Sequence, residues 1–218
     1  MYNEKKYEIV SLGCNCMPRT VLTRLGIKPR KAQGELSCPF DLVKHNSQRI
    51  IYYLETDFKD YLDDLHFRLR KRNFFDFRGK GVWQKNDGTG FYHDKDCKSK
   101  DRDKLVKRIT ARIENFRKIM ASDTPVLFVM NLIDNDIDLK RLYNVLNKVR
   151  GNKFFKVIIF DFINATSDND DFYILRLPAP IENYSGDWNK SSFVKSKLGR
   201  YFEKCIHEYT KAIIDKDF

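Results

Sequence analysis

The run Ser11-Leu12-Gly13-Cys14-Asn15-Cys16 leads without interruption into Met17-Pro18-Arg19. A thiol at that point is a candidate nucleophile. Pro18 lacks a backbone donor and has a preset φ, so it is best tolerated in the first turn of a helix. Cys16 is therefore expected at or just before a helix N-terminus. There the unpaired N–H groups and the positive end of the macrodipole favour the thiolate, the reactive form of cysteine. Gly13 lets the chain turn tightly between a strand and that helix. Asn15, or the amides around Cys16, are placed to bind a developing oxyanion, and Ser11 and Gly13 belong to the same turn. The bland alternative makes Cys14 and Cys16 small apolar residues buried at a strand end.

The five cysteines also bear on metal and disulfide chemistry. His93-x3-Cys97 has helical ligand spacing, which raises a zinc site from Cys14, Cys16, His93 and Cys97. Cys14-x-Cys16 is tighter than the usual zinc knuckle and no second C-x2-C pair supports it, so no metal is expected. Five scattered cysteines, at 14, 16, 38, 97 and 205, are odd in number and do not form a disulfide framework. They fit a reducing compartment.

Periodicity gives the elements that must hold these residues. Tyr7, Ile9 and Val10 form a short buried strand; Val21, Leu22 and Leu25 give the next helix an apolar face, and Gly26 ends it. After a loop at 28–39, Asn46 or Ser47 caps a helix carrying Ile50, Ile51, Leu54 and Phe58. Over 67–91 short aromatic segments alternate with glycines, which reads as hairpins or an ordered loop that delivers His93. An amphipathic helix starts near Asp101, with Leu105, Ile109, Ile113, Phe116 and Met120 on one face. Residues 125–130, 156–160 and 172–177 are strands, 138–149 is a helix stopped by Gly151, and 191–215 is a closing helix. Buried strands separated by helices imply a mostly parallel sheet. The expected fold is a three-layer α/β sandwich, a single domain over 1–218 with an irregular basic and aromatic insertion at about 67–98. Ligands of open parallel sheets bind beyond the carboxyl ends of the strands. Cys16, Asn131 and Asp161 each follow such an end and can share one rim.

Charge says less. The net charge is +11, with much of the excess between Arg68 and Lys118, a segment able to hold an anionic ligand. Lysine is abundant throughout the chain, and no zinc-finger, helix-turn-helix or RNP-like pattern is present, so nucleic acid is not the expected partner. No run is long enough to span a bilayer, and no apolar h-region follows residues 1–6, so a cytoplasmic protein is expected.

Several of these residues together carry a resemblance. Ser-Leu-Gly-x-Asn-Cys at 11–16, Pro39-Phe40-Asp41, His93-Asp94, Arg108-Ile-x3-Ile-x2-Phe116 and the strand at 126–129 resemble the DUF1796 family, described as papain-like cysteine peptidases. The likeness runs to about Phe160, and Gly186-Asp187-Trp188 is similar to the family's C-terminal segment. The resemblance implies Cys16 as nucleophile and His93 as the base that takes and returns its proton. It makes Asp41 the first choice to orient the imidazole, with Asp94, Asp161 and Asn131 as alternatives. Where the family has Trp after Pro-Phe-Asp this chain has Leu42, which removes an aromatic wall. His45, His66 and His207 are read as surface or helix residues.

The strand–helix alternation does not resemble papain, in which the cysteine heads a long central helix and the histidine lies on an antiparallel sheet. It is similar to SGNH-type esterases, whose nucleophile follows the first parallel strand, and to capsule-biosynthesis acyltransferase-like proteins with Gly-Asn-Cys at the same point. Three functions are open. The first is a cofactor-free cysteine hydrolase of peptide, isopeptide or ester. The second is an acyltransferase to a sugar or other hydroxyl with coenzyme A as donor. The third is a non-catalytic basic module binding nucleic acid or an anionic glycan.

Overall fold

The structure, a computed structural model, describes residues 7–68, 82–85, 87–91, 101–132, 137–164, 166–167, 169–177 and 190–218. Four strands form one sheet: β1 (Glu8–Ser11), β4 (Val126–Leu132), β5 (Phe155–Asp161) and β6 (Tyr173–Arg176). They pair in the order β1-β4-β5-β6, every pair parallel. A short antiparallel ladder joins β2 (His66–Arg68) to β3 (Val82–Gln84), within the segment expected to hold hairpins.

Side-chain alternation sorts the sheet into two faces. Val126, Phe128, Met130 and Leu132 of β4 pack with α2 (Ser47–Glu55), α3 (Arg102–Ala121) and α4 (Leu139–Arg150). Leu127 and Val129 point the other way, into a cluster with α1 (Met17–Arg24) and α6 (Lys197–Asp217). With apolar residues on both faces each strand is covered twice, as a parallel sheet requires. The three layers are those the strand–helix alternation implied, and the parallel sheet differs from the papain arrangement.

Local chemistry sets the helix ends. The side chains of Asn46, Asp101 and Asp138 accept from the third residue of their helices, Arg49, Lys104 and Arg141, at 2.8, 3.0 and 2.9 Å. Gly151 ends α4 in the left-handed region at φ 59°. Two boundaries differ from expectation. Phe58 is not part of α2: it adopts φ 62° beyond the helix end, where its ring packs on Phe40 and Phe116 at 5.5 and 5.4 Å. The closing helix is broken at Ser196 into α5 (Ser191–Lys195) and α6, because Ser196 Oγ donates to Phe193 O at 2.6 Å and accepts from Gly199 N at 2.9 Å.

β1 is an edge strand, and its outward Ile9 carbonyl accepts from Lys28 Nζ, which also pairs with Glu35 at 3.2 Å. A buried lysine thus closes an edge that would otherwise invite strand addition. Among the described residues no helix is long and apolar enough to cross a membrane.

Candidate active site

The end of β1 becomes the mouth of α1 within five residues. Leu12 N donates to Val129 O at 2.8 Å, extending the β1–β4 pairing past Ser11. Gly13 N then donates to Ser11 Oγ at 3.4 Å, and Met17 N to Asn15 Oδ1 at 2.8 Å. Ser11 and Asn15 therefore hold the turn itself together. Cys16 is the N-cap of α1, with Pro18 in the first turn. Cys14 packs on the α2 face of the sheet and Cys16 on the α1 face, so the two thiols do not form a ligand pair. Among the described residues no cluster of three or more His, Cys, Asp or Glu is arranged to hold a metal.

The expected acidified thiol is not what this turn produces. Cys16 is 8% exposed, and burial pushes its thiol up to about 11. Its own backbone N–H, the Thr20 hydroxyl and the Arg19 charge act in the opposite direction. Burial prevails over the helix N-terminus, because removing water disfavours the anion more than these partners favour it.

Asn131 lies across from this turn. The register Ser11 to Val129 puts Asn131 level with Gly13, and alternation puts it on the face that holds Cys16. Asn131 is fully buried, and neither atom of its carboxamide has a hydrogen-bond partner among the described residues. A Cβ on Gly13 would stand 2.7 Å from Asn131 Oδ1 and 2.8 Å from Pro18 Cδ. Only glycine lets the carboxamide and the start of α1 approach this closely. An unpaired buried amide costs about 1–3 kcal/mol, so its retention calls for a reason.

Asp161 shares the rim but not the face. It points to the opposite side of the sheet from Asn131, where it accepts from Thr166 N at 3.0 Å, Thr166 Oγ1 at 2.6 Å and Ile163 N at 3.2 Å. Its carboxylate is thus engaged by its own loop and is not aimed at Cys16.

Asp41 is fully buried and pairs with Arg19 of α1. Its Oδ2 accepts from Cys38 N at 2.7 Å and stands 3.3 Å from Arg19 Nε, while Oδ1 has no hydrogen-bond partner among the described residues. Arg19 also bonds Glu35 at 3.1 Å, and Lys28 completes a buried row of alternating charges. Burial raises the Asp41 carboxyl above its ordinary value, against the pull of Lys28 and Arg19. Asp41 therefore reaches Cys16 through Arg19, a residue the sequence reading passed over. Arg19 falls one turn after Cys16, and that spacing was the available signal. Leu42, in the family's tryptophan position, packs at the edge of the α1-face cluster.

His93, Asp94 and Cys97 lie outside the described residues. The chain that leads to them is described as far as Phe91, which is buried, and Gly90 exchanges both backbone bonds with Lys44 at 2.9 and 3.0 Å. His45 is a correction. It is not on the surface but wholly buried, its Nδ1 3.3 Å from Thr89 Oγ1 and its Nε2 3.0 Å from Tyr61 OH. Burial pushes it down to about 3, so the ring is neutral. His66 and His207 are partly exposed, as expected.

The DUF1796 family model, described as "Putative papain-like cysteine peptidase", matches residues 7–164. The chain belongs to this family. No curated protein and no solved structure matches it. The match spans the β1–α1 turn, the Pro-Phe-Asp segment and strands β4 and β5.

Proposed function

We propose that this DUF1796 protein is a cysteine hydrolase that cleaves a peptide amide, or an ester, through an acyl-enzyme on Cys16 with His93 as the base. The observation that carries the reading is the fully buried carboxamide of Asn131, without a hydrogen-bond partner among the described residues and set across Gly13 from the Cys16 turn. A donor left free by these residues is what an oxyanion site needs. Asn131 Nδ2 then gains a bond only as negative charge develops on the substrate carbonyl oxygen.

Two further observations support the base. His45 N donates to Cys14 O at 2.9 Å, and its neighbour Lys44 is bridged to Gly90. His93 follows Phe91 by two residues, a reach of at most about 7 Å, so it starts from a segment tied to the nucleophile turn. Oδ1 of Asp41, which has no hydrogen-bond partner among the described residues, is an acceptor suited to an imidazole N–H.

A thiol that burial holds at about 11 is neutral at pH 7, so its proton leaves as the bond to carbon forms. Sγ attacks the carbonyl carbon while His93 takes the thiol proton. The tetrahedral intermediate collapses with cleavage of the C–N or C–O bond, and His93 returns the proton to the departing amine or alcohol. Water, deprotonated by the same imidazole, then releases the carboxylic acid and restores the thiol.

The experiment is a burst assay with a 4-nitrophenyl ester, followed by intact and peptide mass spectrometry. A stoichiometric burst with the acyl mass on Cys16, absent in Cys16→Ser, is expected. Turnover without an adduct on Cys16 would overturn the reading. Faster release of the adduct by an added polyol than by water would turn it toward acyl transfer.

A further inference from the structure

Three segments must stay in register for the chemistry proposed above: the Cys14–Cys16 turn, the Pro39-Phe40-Asp41 stretch and the chain that leads to His93. One residue, His45, is linked to all three, by its backbone N–H and by its ring. His45 N holds Cys14 O at 2.9 Å. The His45 ring meets Tyr61 OH at 3.0 Å, and that hydroxyl donates to Pro39 O at 3.3 Å. The opposite ring nitrogen meets Thr89 Oγ1 at 3.3 Å, one residue before the Gly90–Lys44 bridge.

Both ring nitrogens of the neutral imidazole have a hydroxyl partner that can donate or accept. With the Tyr61 proton on Pro39 O, Nε2 carries the ring proton and Nδ1 accepts from Thr89; with the Tyr61 proton on Nε2, the roles reverse. Thr89 is fixed in turn by Asp87, whose Oδ1 accepts from Thr89 N at 3.0 Å and whose Oδ2 accepts from Tyr53 OH. Asp87 and Lys85 are the charged groups that act on the ring, in opposite directions. Phe40, Tyr53 and Tyr61 pack around it with ring centroids 5.4, 5.9 and 5.6 Å away.

We infer that His45, with both nitrogens of its neutral ring engaged, is a positioning residue that holds the Cys16 turn, the Asp41 segment and the approach to His93 in one arrangement. The inference rests on the assignment of Cys16 and His93 above. A polar residue of this kind in an aromatic cluster specifies geometry: both ring nitrogens are used, and each reaches a different segment. His45 itself exchanges no proton with substrate.

The test compares Cys16 alkylation by iodoacetamide across pH in the full chain, using His45→Phe, His45→Gln and Tyr61→Phe. Phenylalanine fills the volume without either bond; glutamine keeps a donor and an acceptor. At neutral pH the rate is expected to fall about a hundredfold in His45→Phe, as small misplacements of reacting groups do, and to recover in large part in His45→Gln. Tyr61→Phe, which cuts only the link to Pro39, is expected to fall between them and serves if His45→Phe does not fold. A wild-type profile in folded His45→Phe, or in Tyr61→Phe where that variant stands in, overturns the inference. If the wild type itself shows no neutral-pH reactivity, the base assignment fails, and the brace is judged by amide exchange instead. Faster exchange at the amides of positions 45 and 90 in the variants then supports it, and unchanged exchange overturns it.

Discussion

The carboxamide of Asn131 and the α-carbon of Gly13 are packed so closely that a methyl group on Gly13 would lie 2.7 Å from Asn131 Oδ1. The amide so enclosed has no hydrogen-bond partner among the described residues. Stability and activity are therefore opposed at this position. Asn131→Leu, of similar size, removes an unsatisfied buried amide and is expected to stabilise the fold by about 1 kcal/mol. The same change is expected to lower turnover about 100-fold or more, the usual loss for one oxyanion donor. Urea unfolding and ester burst kinetics on one preparation check both signs. A destabilised variant with normal turnover would contradict this role.

Gly13→Ala tests the same contact from the other side. The added Cβ meets Asn15 O at 2.5 Å and Pro18 Cδ at 2.8 Å, backbone and ring atoms that cannot step aside singly. The turn must shift, and Cys16 and Asn131 move apart. Burst amplitude is expected to fall more than the thermal midpoint does, a contrast that calorimetry and the ester assay read together.

Arg19 carries a prediction about pH. Arg19→Met leaves the buried Asp41 carboxylate without its nearest cation, a change expected to cost about 3 kcal/mol at pH 8. The folded-state pKa of Asp41 already lies above its ordinary value, so its charged form costs stability above that ordinary value. The cost grows as pH rises through the folded pKa, and losing Arg19 widens the interval. Glu35 acts in the same sense only at lower pH: Lys28 and Arg19 hold its carboxyl below the usual range against burial, and the Arg19 share of that stabilisation fades once pH falls below that range. The deficit of Arg19→Met should therefore shrink between pH 8 and pH 5 in urea unfolding. A deficit that grows on acidification would contradict the arrangement.

Arg150 is structural. Its buried guanidinium donates to the carbonyls of Ile119 and Met120 at 2.9 and 2.8 Å and of Thr124 at 3.0 Å, closing the end of α3 onto the start of β4. Arg150→Met orphans these carbonyls and is expected to cost about 3 kcal/mol with activity per folded molecule retained. Arg150→Lys should recover only part, since an ammonium cannot reproduce the planar fork. Denaturant midpoints of the two variants decide.

What could be read from residues alone was what depends on local chemistry. Asn46, Asp101, Asp138 and Gly151 mark helix ends by their own side chains or backbone freedom, and the apolar runs at 126–130 and 156–160 announce strands covered twice. The Cys16–Pro18 spacing located the helix mouth for the same reason. Strand order was not legible, because pairing of β1 with β4 depends on contacts far apart in sequence. Nor was the burial that reverses the expected shift of Cys16, which comes from its place in the apolar cluster on the α1 face of the sheet. His45 was misjudged for a related cause: a histidine before a helix cap reads as exposed until Phe40, Tyr53 and Tyr61 are seen around it. Phe58 left its helix because ring packing outweighed propensity.

The most direct measurement is the pH dependence of Cys16 alkylation by iodoacetamide in wild type and His93→Ala, read by peptide mass spectrometry. With His93 as base, wild-type reactivity is expected to rise near the imidazole range, at about pH 6–7. In His93→Ala the rise should move to the range of the buried thiol itself, about 11. Identical profiles in the two proteins, or a Cys16 that is inert until denaturation, would contradict the cysteine–histidine assignment.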